Sequence, residues 1–251
     1  FDKKVCDKHS TGGIGDTVTL VAIPILGALN IPVVKMSGRG LGITGGTIDK
    51  LESIPGFNVN LTKEDYYNNL EKIGIVVGAQ TNDLVPLDKV IYALRDVSGT
   101  TESIPLIASS IMSKKIASGA GKILIDIKVG KGALIENKKQ ARELADLMIK
   151  IGKKYDREVV CMLSRMDNPL GSNVGNKIEV LEVIDILKNG KRNDLSFLCI
   201  EMASIMYTMS KKISIEKAKE KVLMTLENGK AYALFLKFIE GQGGKIVENL
   251  P

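Results

Sequence analysis

The sequence predicts an α/β fold: a mainly parallel sheet flanked by helices, with a small all-helical lobe. Three observations predict it. Short β-branched runs alternate with helix-like stretches through residues 4–77. Two glycine-rich loops, Lys8–Thr17 and Ser37–Thr47, each follow such a run and precede a helical stretch, and they hold most of the nine glycines found between Thr11 and Gly46 among the chain's 25. From Pro86 to about Ala120 the helical signals continue with no strand between them.

Lys4–Cys6 reads as a strand, followed by the first loop and an apolar helix over roughly 16–29 that stops at Asn30-Ile31-Pro32. Val33–Met36 is the second strand; after the second loop a helix runs from about Thr47 to Ser53 and is stopped by Pro55-Gly56. Ile73–Val77 is the third strand. Repeated strand–loop–helix units argue for a parallel sheet that binds ligands beyond the carboxyl ends of its strands. Two helices follow, Leu87–Val97 and Ile104–Ser118, joined by a turn at Ser98-Gly99-Thr100 and bordered by linkers at 78–83 and 118–121. Strands resume at Lys122–Val129 and Glu158–Leu163, around a helix at 137–153. Beyond the loop 166–176 the chain reads as helices near 177–188, 193–209, 214–227 and 229–240. The expected domains are therefore 1–82, the first part of an α/β domain; 83–120, a helical-lobe segment; and 121–251, the second part.

Composition excludes several classes. With 251 residues and 44% apolar content the chain can bury a proper core. A net charge of +6 would suit nucleic acid, but the lysines are dispersed and aromatics are 4% with no Trp, so stacking platforms are scarce. Three cysteines without a C-x-x-C pattern indicate neither zinc nor a disulfide framework and fit a reduced cytoplasmic compartment. No apolar run reaches membrane-spanning length and no signal peptide opens the chain. Phe1-Asp2-Lys3-Lys4-Val5-Cys6 reads as the middle of a longer polypeptide.

Glycine-rich backbone at the end of a strand presents N–H groups to an anion, and here Lys8, Ser10, Thr11, Lys35 and Arg39 flank it. The two loops point to one phosphate held from two sides; the plainer reading is a pair of tight turns. Neither carries the G-x-x-x-x-G-K-[ST] pattern. The lone histidine, His9, lies inside the first loop. On the helical segment Ser110 and Lys114 share a face at i and i+4, and Arg95 lies beside Tyr92 and Asp96. Together they suit the carbonyls and ring nitrogen of a planar ligand, or they are ordinary exposed charges. Glu182 is either a solvated carboxylate or part of an oxygen-ligand site for a hard cation.

The blocks Asp7–Asp16, Ser37–Gly42, Thr44–Phe57, Tyr92–Val97 and Ser103–Lys115 resemble, in order, the thymidine and pyrimidine-nucleoside phosphorylase family, and the similarity extends over essentially the whole chain. The resemblance implies the catalytic fold shared by nucleoside phosphorylases and phosphoribosyltransferases, with this chain as its central portion, lacking the family's N-terminal helices and C-terminal domain. It implies reversible phosphorolysis of uridine, thymidine and deoxyuridine to the free base and a (deoxy)ribose 1-phosphate, with inorganic phosphate as co-substrate. Lys8, Ser10, Thr19, Lys35, Met36, Ser37 and Thr47 fall at its phosphate positions, and His9 beside the reacting centre. Tyr92, Arg95, Ser110 and Lys114 fall where the base is held, with Arg95 and Lys114 joining His9 as catalytic residues. Gly15, Thr17, Leu170, Asn173 and Glu182 match positions that bind a potassium ion in the bacterial pyrimidine-nucleoside branch. A cytoplasmic homodimer with no nucleic-acid or membrane partner is implied as well. Two departures stand out: Ile43 where the family usually has His, and Lys131 where it has a small Ser. The alternatives are an anthranilate-type phosphoribosyltransferase, which needs a diphosphate and Mg²⁺, and a non-catalytic homologue that binds nucleic acid.

Overall fold

A computed structural model describes residues 4–40, 45–81 and 85–246, apart from the side chains of Lys89 and Asp96. Ile43, and the part of the second loop around it, therefore lies outside the described residues, as do 82–84 of the first linker. The chain divides into two compact units, 1–12 with 80–168 and 13–79 with 169–251. The helical-lobe segment expected at 83–120 falls in the same unit as the strands that follow it.

In the first unit, β1 (Cys6–Ser10), β4 (Lys122–Val129) and β5 (Glu158–Arg165) pair in parallel, Cys6 opposite Lys122 and Lys122 opposite Glu158. The ladder with β4 continues to Ser10 opposite Asp126, so Lys8, His9 and Ser10 belong to the strand rather than to the loop expected there. β4 is buried along nearly its whole length, as a strand covered on both faces must be. Its apolar side chains Ile123, Ile125 and Ile127 form a core with Ile107, Ala108 and Met112 of α5 (Ile104–Ala117) and Leu144 and Met148 of α6 (Lys138–Lys154). α4 (Pro86–Ser98) packs on α5. It ends at Gly99, whose φ of +65° reverses the chain.

In the second unit β2 (Val33–Ser37) and β3 (Ile75–Ala79) pair in parallel, Lys35 opposite Val77. α1 (Val18–Ala28) is buried from Val18 to Leu26 on every face, which its near-continuous apolar sequence allows. It packs on α8 (Asp194–Lys211) and α10 (Lys230–Gly241). α2 (Thr47–Glu52) packs on α7 (Asn176–Asn189), and α9 (Ile215–Glu227) lies against α8. Just past α10, the Gln242 amide donates to the carbonyls of Val77 (2.8 Å) and Asn58 (3.0 Å) and so ties the helix end to β3.

α3 (Lys63–Ile73) is a helix that the sequence reading passed over. Of its eleven residues only Tyr66 is buried, so its apolar face is thin. Its start is nevertheless marked: the Thr62 hydroxyl accepts from Asp65 N–H at 3.1 Å while the Asp65 carboxylate accepts from Thr62 N–H at 2.8 Å. Every strand pair described within a unit is parallel and flanked by helices, as the sequence predicts.

Candidate functional site

The end of β1 delivers Lys8, almost fully buried, and then His9 and Ser10, half-buried. The Ser10 hydroxyl accepts from Gly12 N–H at 3.1 Å. Gly12 has φ +97° and open space where a side chain would project. Thr11, between Ser10 and Gly12, is docked on β4: its N–H donates to the Asp126 carbonyl (3.0 Å), and Lys128 N–H donates to its hydroxyl (2.9 Å). Beneath this turn lies a cluster that the sequence reading missed. The Lys128 ammonium meets the Asp126 carboxylate at 2.7 Å, both side chains fully buried, and Ser164 donates its hydroxyl to the same carboxylate. The signal was present as Asp-x-Lys, a period-two charge pair on one face of an otherwise apolar strand.

On the helical segment Ser110 and Lys114 meet as the i, i+4 spacing predicts, with Lys114 Nζ donating to Ser110 Oγ at 2.9 Å. Asp88 of α4, a second partner not foreseen, pairs with Lys114 at 2.7 Å. Arg95 is buried rather than an ordinary exposed charge. Its guanidinium lies 5.2 Å from the ring centroid of the exposed Tyr92 and donates through Nη2 to the Thr101 carbonyl, while its Nε, also buried, has no hydrogen-bond partner among the described residues. Ser110 and Lys114 thus form one polar pair, and Tyr92 and Arg95 a second.

In the other unit Lys35 is buried on β2, and Met36 and Ser37 follow half-buried at its carboxyl end. Thr19 is buried in the first turn of α1, and Thr47 begins α2. The second glycine loop differs from the expectation in two respects. The amides of Gly40 and Gly46 do not face an open anion site, because both donate to the Asp49 carboxylate, at 2.7 and 2.8 Å. A Cβ on Gly46 would lie 2.4 Å from the Gly40 nitrogen, so only glycine permits this closure. Burial pushes the Asp49 carboxyl up, but these two N–H groups and the Arg39 guanidinium together hold it below the usual carboxylate range. Arg39 itself, expected to flank the phosphate, is paired with Asp49 and Glu52.

The five residues of the expected potassium set gather within this second unit. Gly15 (φ +75°) abuts Leu170 so closely that a Cβ there would lie 2.1 Å from the Leu170 carbonyl oxygen. The Thr17 hydroxyl donates to the Gly15 carbonyl at 3.5 Å, and Asn173 N–H donates to Glu182 Oε2 at 3.0 Å. Glu182, however, is already committed. Ser172 N–H donates to both its oxygens at 3.0 Å, Asn193 Nδ2 to Oε1 at 2.7 Å, and the Lys191 ammonium lies 3.1 Å from Oε1. Burial raises the Glu182 pKa, and Ser172 N–H, Lys191 and Asn173 N–H overcome that and hold it below its ordinary value. The buried pair Lys50–Glu179 (2.9 Å), with Lys50 also donating to the Asp16 carbonyl (3.0 Å), braces the neighbouring turn. No cluster of three or more His, Cys, Asp or Glu able to hold a metal occurs among the described residues. None of the described helices is long and apolar enough to cross a membrane.

Residues 2–232 match the model of the glycosyl transferase family, a/b domain. The chain is 50% identical over 239 residues to the pyrimidine-nucleoside phosphorylase of Bacillus subtilis, covering 95% of this chain and 55% of that protein. To those of Geobacillus stearothermophilus and Staphylococcus haemolyticus it is 48% and 47% identical, over 95% and 96% of this chain and 55% and 56% of theirs. The chain therefore spans about half the length of the curated relatives it matches. Among solved structures, anthranilate phosphoribosyltransferase from Thermus thermophilus superposes with a TM-score of 0.67 at 14% identity, over 96% of this chain and 78% of that one. The Saccharomyces cerevisiae enzyme gives 0.69 at 12%, over 96% and 74%. At such identity the likeness shows the fold alone.

Proposed function

The chain belongs to the glycosyl transferase family, and on that premise we propose that it carries the catalytic α/β portion of a pyrimidine-nucleoside phosphorylase. One observation carries the reading: relatives 46–50% identical over at least 95% of this chain bear that name. The reaction is reversible. A phosphate oxygen bonds to C1′ of the sugar, the C1′–N bond breaks with its electron pair leaving on the base, and a (deoxy)ribose 1-phosphate results. Positive charge grows on the sugar and negative charge on the base in the transition state, as in other glycosyl transfers.

The proposed roles follow those charges. Lys8, Ser10, Thr19, Lys35, Met36, Ser37 and Thr47 serve the phosphate. Gly40 and Gly46, whose amides are committed to Asp49, are given no share in holding it. His9 serves the reacting centre. Arg95 and Lys114, with Ser110 and Tyr92, hold the base and stabilise the charge it takes up on leaving, which is where fixed donors contribute most to rate. The buried Nε of Arg95, without a hydrogen-bond partner among the described residues, supports this, since a bound heterocycle offers an acceptor for it. No step is assigned to potassium, since Glu182 already accepts from Ser172, Asn173 and Asn193 and pairs with Lys191. The proposal extends, on the resemblance alone, to a homodimer acting in the cytoplasm on uridine, thymidine and deoxyuridine.

The test is base release from each nucleoside, followed by absorbance, with and without phosphate and with phosphoribosyl diphosphate offered to free base in a separate arm. Phosphate-dependent release of uracil and thymine is expected. Reaction only with the diphosphate would favour a phosphoribosyltransferase. Salt-sensitive oligonucleotide binding without base release would favour a non-catalytic nucleic-acid binder.

A further inference from the structure

Glu182 is the one carboxylate among the five residues matched to a potassium site, and it already holds a cation drawn from this chain. A carboxylate offers roughly four lone-pair positions. Ser172 N–H, Asn173 N–H, Asn193 Nδ2 and Lys191 Nζ are four donors converging on them. The Glu182 side chain is 1% exposed, so no water layer separates these groups from it. The fold positions Lys191 for this. α7 ends at Gly190, whose φ of +72° turns the chain back, and Lys191 N–H then donates to the Asp185 carbonyl at 3.4 Å. The side chain is thereby directed along the helix towards Glu182, passing Asp185 at 3.9 Å. An ammonium beside the end of a helix also faces the carbonyl end of its dipole.

The loop held by this arrangement leaves no slack. A Cβ on Gly171 would lie 2.9 Å from Glu182 Oε2, and Gly171 itself adopts φ +78°. A potassium ion added against the same carboxylate would have to expel one donor and would sit beside a like charge.

We infer that Lys191 is the resident cation of this site: it neutralises Glu182 and fixes the 171–173 loop in place of a bound alkali metal ion, so the protein does not depend on potassium. A tethered ammonium needs no ion concentration to stay bound, whereas a free ion does.

Thermal unfolding tests this independently of catalysis, so the phosphorylase reading and this one fail separately. Melting is compared in KCl, NaCl and choline chloride at one ionic strength of about 0.1 M, which keeps general screening equal. The unaltered protein is expected to melt within about 1 °C in all three, and Lys191→Ala to gain a potassium-selective rise of roughly 2–4 °C. A saturable, potassium-selective rise in the unaltered protein overturns the inference. So does a folded Lys191→Ala that responds to none of the salts. If Lys191→Ala does not fold, Lys191→Met replaces it, and ²⁰⁵Tl⁺ NMR on the unaltered protein decides alone: absence of a bound, potassium-displaceable signal supports the inference and its presence overturns it.

Discussion

Replacing Lys128 by Met should be among the most damaging single changes in the first unit. The Lys128 ammonium and the Asp126 carboxylate are 2.7 Å apart with both side chains at 0% exposure, and Ser164 depends on the same carboxylate. Methionine keeps the volume but leaves Asp126 charged and without its cation, which costs about 3–5 kcal/mol. For a chain of 251 residues, where 1 kcal/mol is roughly 2–4 °C, the melting temperature should fall by roughly 6–20 °C. The exposed pair Arg165–Asp167, with Arg165 88% exposed, provides the contrast: Arg165→Ala should cost under about 1 kcal/mol. Adding Asp126→Asn to Lys128→Met removes the stranded charge and should recover part of the loss. Urea unfolding with matched m-values is the assay. A Lys128→Met protein within about 1 kcal/mol of the unaltered one, or a double variant no better than the single, would refute the reasoning.

Other outcomes follow from the same geometry. Gly15→Ala should unfold the turn next to Leu170, because the added Cβ meets a carbonyl at 2.1 Å on backbone already at φ +75°; a melting temperature unchanged by the substitution would count against it. Asp49 and Glu182 both have folded-state pKa values below their unfolded ones, so the stability they add is full above the unfolded values and is lost as pH falls through the folded ones. Asp49→Asn should therefore flatten the acid side of the stability–pH curve below about pH 4, while leaving its slope near neutrality unchanged. The half-buried Cys161 thiol, pushed up to about 12 by desolvation and then by Asp146, should react with a thiol reagent at pH 8 far more slowly in the folded protein than in urea; equal rates would contradict that shift. Lys8→Ala should raise the phosphate concentration needed for half-saturation, and Arg95→Ala should lower turnover about 10²-fold or more; steady-state kinetics with each substrate varied separates the two.

Much of the fold could be read from local pattern. β4 runs over Lys122–Val129 as the apolar KILIDIKV stretch predicts, and the helices after it fall within a residue or two of their predicted ends. Capping and glycine signals are local, so they survive a reading without coordinates. α3 escaped because a helix with a single buried residue offers a thin apolar face, leaving the Thr62–Asp65 box and the terminal Gly74 to announce it. The full length of β1 escaped because Lys8, His9 and Ser10 look like loop residues, whereas their place is set by pairing with β4 more than a hundred residues away. The site divides in the same manner. Motifs marked Lys8, Arg95, Ser110 and Lys114, and the i, i+4 spacing foretold the 110–114 contact. Spacing could not foretell that Asp49, at N3 of α2, would also take the Gly40 amide, that Asp88 would reach Lys114 from another helix, or that Lys191 would fold back onto Glu182. The Asp88 and Lys191 contacts join charges whose sequence context is ordinary, and the Asp49 contact joins a carboxylate to a backbone amide, which carries no side-chain signal.

Phosphorus NMR of the protein with uridine and inorganic phosphate tests the central proposal most directly. A pentose 1-phosphate resonance growing in step with released uracil, at the expense of inorganic phosphate, is the predicted result. Uracil appearing with free ribose and unchanged phosphate, or no uracil at all, would contradict it.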